Sequence, residues 1–427
     1  MEDVTLLEPP MQALADDCIW VRIDIDRNLS LAREWCLEAT PTIFLLDPGG
    51  HSRRKIVGGA SAEELSAMLR QFHTELGSEA MTGDAEEADV FQHTQLTVKP
   101  DGFRGKSICF SHVGYGPLNV RSQSPFQSLR LGIVPRTPST LAHGQHQLRL
   151  GGTWSNIWSS DRGSFDPANG DYGAYLLDYA SLDATLAYSY GLSDTFQIEA
   201  EFEQRWRFGG AMDALIEQFH DLFGLGQAGR TEWPRNQTLI FVDPQNGTPP
   251  VSLSGSEASG AFARDLLVTL QHNVTCGTAK WPALSWAVTG RYSLGNPGDL
   301  EGSAFDIALS AAASRRFGKL YVYLTLGYVL YGSDAVYGLE IETTQVTALA
   351  AAEWRFKPRM SFTLQYLGTQ GVAKDLGVFS ETSNEIVLGW KWEVRQAGVL
   401  GIGLLENIVV FDNSPDLGVH VGFTRRF

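Results

Sequence analysis

Ionisable side chains in this sequence gather on one phase of alternating segments. In "FQIEAEFEQRWRF", residues 196–208, the odd positions carry Glu199, Glu201, Glu203, Arg205 and Arg207. The even positions carry Phe196, Ile198, Ala200, Phe202, Trp206 and Phe208, with Gln204 the exception. A helix would spread such charges around its circumference, whereas a strand sets them on one face. Glu353 and Arg355 in "TTQVTALAAAEWRF" and Glu385, Lys391 and Glu393 in "SNEIVLGWKWEV" repeat the arrangement, and Asp306 joins them. Two chemistries suit a charged inner face. Mixed charges pair across an enclosed interior and plug it, or the acidic row Glu199–Glu203 forms the cation-favouring wall of a narrow polar conduit.

Other chemistries find less support. Cys18, Cys36, Cys109 and Cys276 are scattered, with no CxxC and no zinc spacing, and are expected to be structural thiols. The nine histidines show no metal-ligand spacing, so no cofactor or metal is expected. "GLGQAG" precedes no strand-to-helix turn and makes a poor phosphate loop. His146 and His272 fall on the outward phase, but no Ser–His–Asn constellation of a lipid hydrolase assembles around them, and no catalytic residue is assigned. A net charge of −16 without a basic patch argues against nucleic acid.

The elements that would hold these charges are strands. "MSFTLQYLG" and "LYVYLTLGYVLYG" alternate like the segments above, with Trp and Tyr near strand ends. Thirteen alternating residues exceed the five or six of an ordinary globular strand. Short links such as "GLSD", "RFGK", "KPRM" and "RQAG" alternate with long ones such as "SSDRGSFDPANGDY" and "TQGVAKDLGVFSE". Alternating links and long strands predict an antiparallel transmembrane β-barrel of about 12 strands (range 10–14) over 126–427, apolar outside and polar inside. One helix is expected near 210–224, as a lid or lumen element or as a surface decoration. No apolar run is long enough for a transmembrane helix, and "MEDVTLLEPPMQ" lacks the form of a signal peptide.

Residues 1–75 have α/β texture, and the acidic, unpatterned stretch after them opens a linker and barrel-entry segment over 76–125. "VRIDIDRN", "LAREWCLEATPT" and "IFLLDPGG" resemble the back half of a thioredoxin fold. The resemblance implies a cis-proline at Pro41 and a periplasmic place for this segment. The family's CxxC half is missing. Either Met1 is an internal start with the redox motif and signal upstream, or the segment is a degenerate remnant; dithiol exchange needs the absent pair.

"GPLNVRSQSPFQ", "YGLSDTFQIEAEFE" and "FHDLFGLGQAGRTEWPRNQ" resemble a family of Gram-negative outer-membrane barrel proteins known as a domain of unknown function, over about 116–427. The resemblance implies an outer-membrane barrel but no reaction. Outer-membrane barrels commonly end in a polar-x-Gly-x-x-apolar-x-aromatic strand read by the barrel-assembly machinery. In "LGVHVGFTRRF", His420, Gly422 and Phe427 fill those slots, while Arg425 departs from the apolar one. On this phase Leu417, Val419, Val421, Phe423 and Phe427 face lipid, and the strand pairs with "HQLRLGGTW". The expected role is a small-solute conduit or an envelope-structural protein, with lipid, the assembly machinery and a small polar solute as partners. The alternative is a membrane-anchored periplasmic thiol-redox protein.

Overall fold

The computed structural model describes residues 42–46, 52–57, 62–80 and 114–426, the last with short omissions at 142, 162–164, 167–170, 211, 225, 228, 245–246, 278–280, 296–304, 337–338, 358, 395–397 and 410–411. It divides into two compact units, one before and one after about residue 114. In the first, Thr42–Leu46 and Ser52–Val57 form an antiparallel hairpin, and helix α1 (Ala62–Ala80) follows it in the chain. Leu45, Leu65, Leu69 and Phe72 form its small apolar core. Pro41, Cys18, Cys36, Cys109 and most of the segment that resembles thioredoxin lie outside the described residues.

The second unit is built on twelve antiparallel strands that close on themselves. They are β1 His146–Ser160, β2 Tyr175–Gly191, β3 Phe196–Phe208, β4 Gly260–Thr275, β5 Ala283–Ser293 and β6 Phe305–Phe317. There follow β7 Leu320–Tyr331, β8 Thr344–Lys357, β9 Met360–Thr369, β10 Ser383–Val394, β11 Gly398–Asn407 and β12 Leu417–Arg426. Each pairs with its sequence neighbours, and β12 closes the cylinder on β1 from Leu417↔Asn156 to Arg426↔Gln147. Short links gather at one end, here the turn end, and long links at the other, the loop end.

Alternation sets outward and inward side chains in turn along the wall strands. Leu320, Leu324, Leu326, Tyr328 and Leu330 are exposed on β7 while Tyr321, Tyr323 and Val329 are buried. Trp354, Trp390 and Trp392 project outward near the turn end. His272 belongs to this belt, stacked on Phe196 at 4.2 Å and edge-on to Trp286. His146 lies beside Tyr188 and Tyr190 with its ring tilted to theirs, centroids 5.8 and 5.0 Å away.

The excursion between β3 and β4 is not a lumen element. Its helix α2 (Asp213–Phe223) ends on Gly224, whose φ of +69° suits a residue without a Cβ. Met212 and Ile216 cover Leu417 on the outward phase of the wall, so Leu417 does not face lipid as the sequence led us to expect. Arg230 fastens the excursion there. It bonds Asp213 and Asn156 at 2.8 Å, pairs with Asp416, and lies over the Trp158 ring. Burial raises the pKa of the Asp416 carboxyl, against the lowering effect of Arg230.

Candidate functional site

An eight-stranded barrel is just wide enough for its own side chains to fill, and twelve strands leave more room. The room is taken by residues 114–141, which run as a strap up the lumen and down again. The up-limb enters at the turn end. Glu353, fully buried, accepts the N–H of Tyr115 at 2.9 Å and of Gly116 at 3.1 Å. Lys391 donates to the carbonyls of Tyr115, Gly116 and Pro117 at 3.1, 2.5 and 2.9 Å. The Tyr115 hydroxyl donates to Glu393 at 2.7 Å and accepts from Arg355 at 3.0 Å. Higher up, Leu118 N–H donates to Gln365 at 3.0 Å and Gln123 N–H to Glu385 at 2.9 Å.

The apex lies at the loop end. A single 3-10 turn, Gln127–Leu129, puts the Gln127 amide against the carbonyls of Thr369 and Gln370. Phe126 meets Phe379 edge-on at 5.1 Å, and Leu131, Leu376 and Tyr331 join the same apolar layer, which seals the mouth. Arg130 then bonds Asp306 at 2.6 Å. The down-limb returns through Arg136, which donates to Glu199 at 2.7 Å, and through the carbonyls of Thr137 and Pro138, which accept from Gln271 and Asn273. Leu141 N–H reaches Gln197 at 2.9 Å near the start of β3.

The inward charges predicted from the sequence are all on the lumen side, and the strap brings most of them together. Glu199 holds Arg136 and Arg149, Glu201 holds Arg149, and Glu203 holds Arg121 and Arg205. The acidic row is therefore not a bare cation-favouring wall, because four guanidinium groups neutralise it. Arg207 lies over the rings of Phe262 and Tyr179. Nor do the wall charges close the lumen by pairing with one another alone. The strap supplies Arg121, Arg130 and Arg136 and no carboxylate, so its charge is opposite to that of the row it covers. A cavity of about 20 Å³ remains between strap and wall, beside Arg149, Glu201 and His420. That is room for roughly one water.

The strap was not foreseen, and the expected boundary at residue 126 falls within it. Two signals point to it. Pro117, Pro125, Pro135 and Pro138 punctuate a run with no alternation, which excludes a ladder strand. Inward positions of the wall also carry glycine where a side chain would collide with the strap. A Cβ on Gly389 would lie 2.3 Å from Leu118 and one on Gly403 2.9 Å, while on Gly327 it would lie 2.3 Å from Ile133.

The other sequence-predicted residues fall apart from this site. His420 is buried in the lumen, sharing a hydrogen bond with Thr153 at 2.9 Å, and Gly422 pairs with Gly151. Phe427 lies outside the described residues, and Arg425 is exposed at the turn end. Cys276 is disulfide-bonded, which replaces the structural-thiol expectation for it. Among the described residues no group of His, Cys, Asp and Glu is placed to hold a metal.

A closed antiparallel cylinder of even strand number, apolar outside and polar within, is a transmembrane β-barrel of the outer-membrane type. The chain belongs to the DUF3187 family, described as a protein of unknown function, whose model matches residues 104–427. No curated protein matches the chain. Among solved structures it is similar to the COG4313 outer membrane channel from Pseudomonas putida F1, at 14% identity and a TM-score of 0.44 over 69% of this chain and 100% of that one. It is also similar to the translocator domain of autotransporter NalP from Neisseria meningitidis, at 11% identity and a TM-score of 0.36, covering 67% and 90% of the two chains. A TodX ΔS2S3 mutant monoaromatic hydrocarbon channel matches at 10% identity and a TM-score of 0.31, again covering 67% and 90%. At such identities the likenesses concern the fold alone.

Proposed function

We propose that this protein is an outer-membrane barrel held closed by its own strap, and that it conducts small polar solutes, cations in preference, when residues 114–141 leave the lumen. The observation that carries the reading is the way the lumen is filled. A separate segment of the chain fills it through side-chain and backbone hydrogen bonds and ion pairs, so emptying it breaks no pairing between wall strands. With the strap gone, Glu199, Glu203, Asp306 and Glu385 would lose their strap partners and the passage would lose three cations, which leaves an acidic lining that favours cations.

Planar-bilayer recording of the whole chain tests it. The intact protein is expected to be electrically silent at rest. A triple variant Arg121→Ser, Arg130→Ser, Arg136→Ser is expected to show openings whose reversal potential in a salt gradient marks cation selectivity. Heat-dependent gel mobility reports whether the wall is folded. A folded triple variant that stays silent at every voltage would remove the conduit and leave a closed structural barrel.

A further inference from the structure

The outward face of the wall holds a trough that the conduit reading does not use. Outward-facing residues of neighbouring strands form rows directly across the sheet. One row is Phe423, Leu150, Leu186, Phe202 and Leu266, all large. The row two residues nearer the loop end, Val421, Gly152, Ala184, Gln204 and Arg264, is small at its centre. The next row, with Trp154, Leu182 and Trp206, is large again. A concavity of about 900 Å³ results, floored by Gly152 and Ala184 and walled by Leu150, Leu186, Phe202 and Trp206. At about 4.8 Å per strand it runs roughly 19 Å from Val421 to Arg264.

Packing does not require the glycine. A Cβ on Gly152 would meet only the Asp183 carbonyl oxygen, at 3.8 Å, an ordinary contact. Its small size serves the space outside the wall. The charged end of the trough is equally specific. The register shift between Ala261 and Ala263 frees the Ala263 carbonyl, which Gln204 Nε2 takes at 2.9 Å, and Gln204 Oε1 accepts Arg264 Nε at 2.8 Å. This fixes the guanidinium on the outer face, with both of its Nη groups free of any acceptor among the described residues. Arg264 also lies one outward row beyond exposed Tyr292, which is opposite Leu266, so it stands at the level of the loop-end aromatic residues. Aromatic rings of that kind mark the headgroup level of a bilayer.

We propose that the trough binds one acyl chain of an anionic, phosphate-bearing membrane lipid, with the lipid phosphate on Arg264. Shape and charge both fit this occupant: an elongated apolar floor ends in a guanidinium whose two Nη groups can take a phosphate. The proposal rests on the reading that this wall faces lipid.

The test uses the full chain in nonionic-detergent micelles, with the thermal unfolding midpoint followed during titration with phosphatidylglycerol. The midpoint is expected to rise and saturate, because a ligand that binds only the folded state stabilises it by mass action. Arg264→Gln is expected to weaken half-saturation about tenfold, the effect of losing a charge-assisted hydrogen bond. Gly152→Leu, which fills the trough, is expected to abolish the saturable rise. Phosphatidylcholine is expected to bind more weakly and inorganic phosphate to give no rise. Both variants titrating as wild type, or inorganic phosphate reproducing the rise, would overturn the proposal. Failure of the wild-type chain to insert into phosphatidylcholine vesicles would instead overturn the membrane reading beneath it.

Discussion

Asp306 is the anchor whose removal most directly tests whether the strap closes the barrel. It is 1% exposed and holds four donors. Arg130 of the strap donates at 2.6 Å, Arg291 of β5 at 2.9 Å, the Gly332 N–H at 3.0 Å and the Leu131 N–H at 3.3 Å. Asp306→Ala leaves Arg130 buried without its carboxylate, while Arg291 keeps Asp265 at 2.8 Å. Breaking one side of a buried pair costs about 3–5 kcal/mol. The surviving Arg291–Asp265 pair puts the expectation at the lower figure. An opened strap lets Arg130 hydrate, so the cost falls on the closed state. The closed-to-open ratio should then drop about 150-fold, at about 1.4 kcal/mol per factor of ten. The assay is single-channel open probability in planar bilayers, with heat-dependent gel mobility as the control for a folded wall. A double variant Arg130→Met, Asp306→Leu removes both charges and should close at least as tightly as wild type. If Asp306→Ala is folded and as silent as wild type, the ion pairs do not hold the barrel shut.

Two further perturbations address the packing of the strap and the excursion. Gly389→Val puts a branched side chain where a Cβ would lie 2.3 Å from Leu118. Overpacking of this kind costs about 1–3 kcal/mol; lowered thermal stability or raised conductance is expected, and neither change would disprove the close approach. Arg230→Met should loosen the excursion, read as faster proteolysis within 224–237, because it leaves Asp213 and Asp416 buried without a cation. Burial already raises Asp416 and Arg230 lowers it, so its removal raises the carboxyl further. Stabilisation from a carboxyl with a raised folded pKa is present below its unfolded value and lost as pH rises through the folded one. Protection in Arg230→Met should therefore be greater in acid and fade on neutralisation; a variant equally protected at all pH values would count against this role.

How much of the molecule was legible in the sequence depended on what kind of force set each part. The wall was legible because a strand exposed to two media alternates with period 2. "FQIEAEFEQRWRF" and "SNEIVLGWKWEV" coincide with β3 and β10 in full. The inward phase of Glu199, Glu353 and Lys391 followed from the same periodicity. Their partners did not, because Arg121, Arg130 and Arg136 sit in an irregular segment whose conformation is set by long-range contacts, such as Arg130 to a residue 176 positions away. Leu417 was misread for a related reason. Its phase is outward, but the excursion that covers it arrives from Met212 and Ile216, and periodicity within β12 carries no trace of them.

The chemistry chosen for the strap argues against its being inert filler. A buried ion pair is a poor way to stabilise a core, since well-packed apolar residues of similar volume often do as well or better. The apex uses that cheaper solution, with Phe126 and Leu131 in an apolar layer. Along both limbs, apolar contacts such as those of Leu118 and Val120 with Val387 and Leu405 are interleaved with ion pairs and hydrogen bonds to backbone, as between Lys391 and three successive carbonyls. Every group in such a contact can be satisfied by water once the limb withdraws, whereas an apolar limb would leave a dewetted passage. A segment bonded in this way has two states in which its polar groups have partners, bound to the wall or hydrated. The Arg130→Met, Asp306→Leu variant separates these accounts. A filler should stay shut and become more stable, while a gate should stay shut and lose openings that strong voltage or mild denaturant still elicits from the wild-type chain.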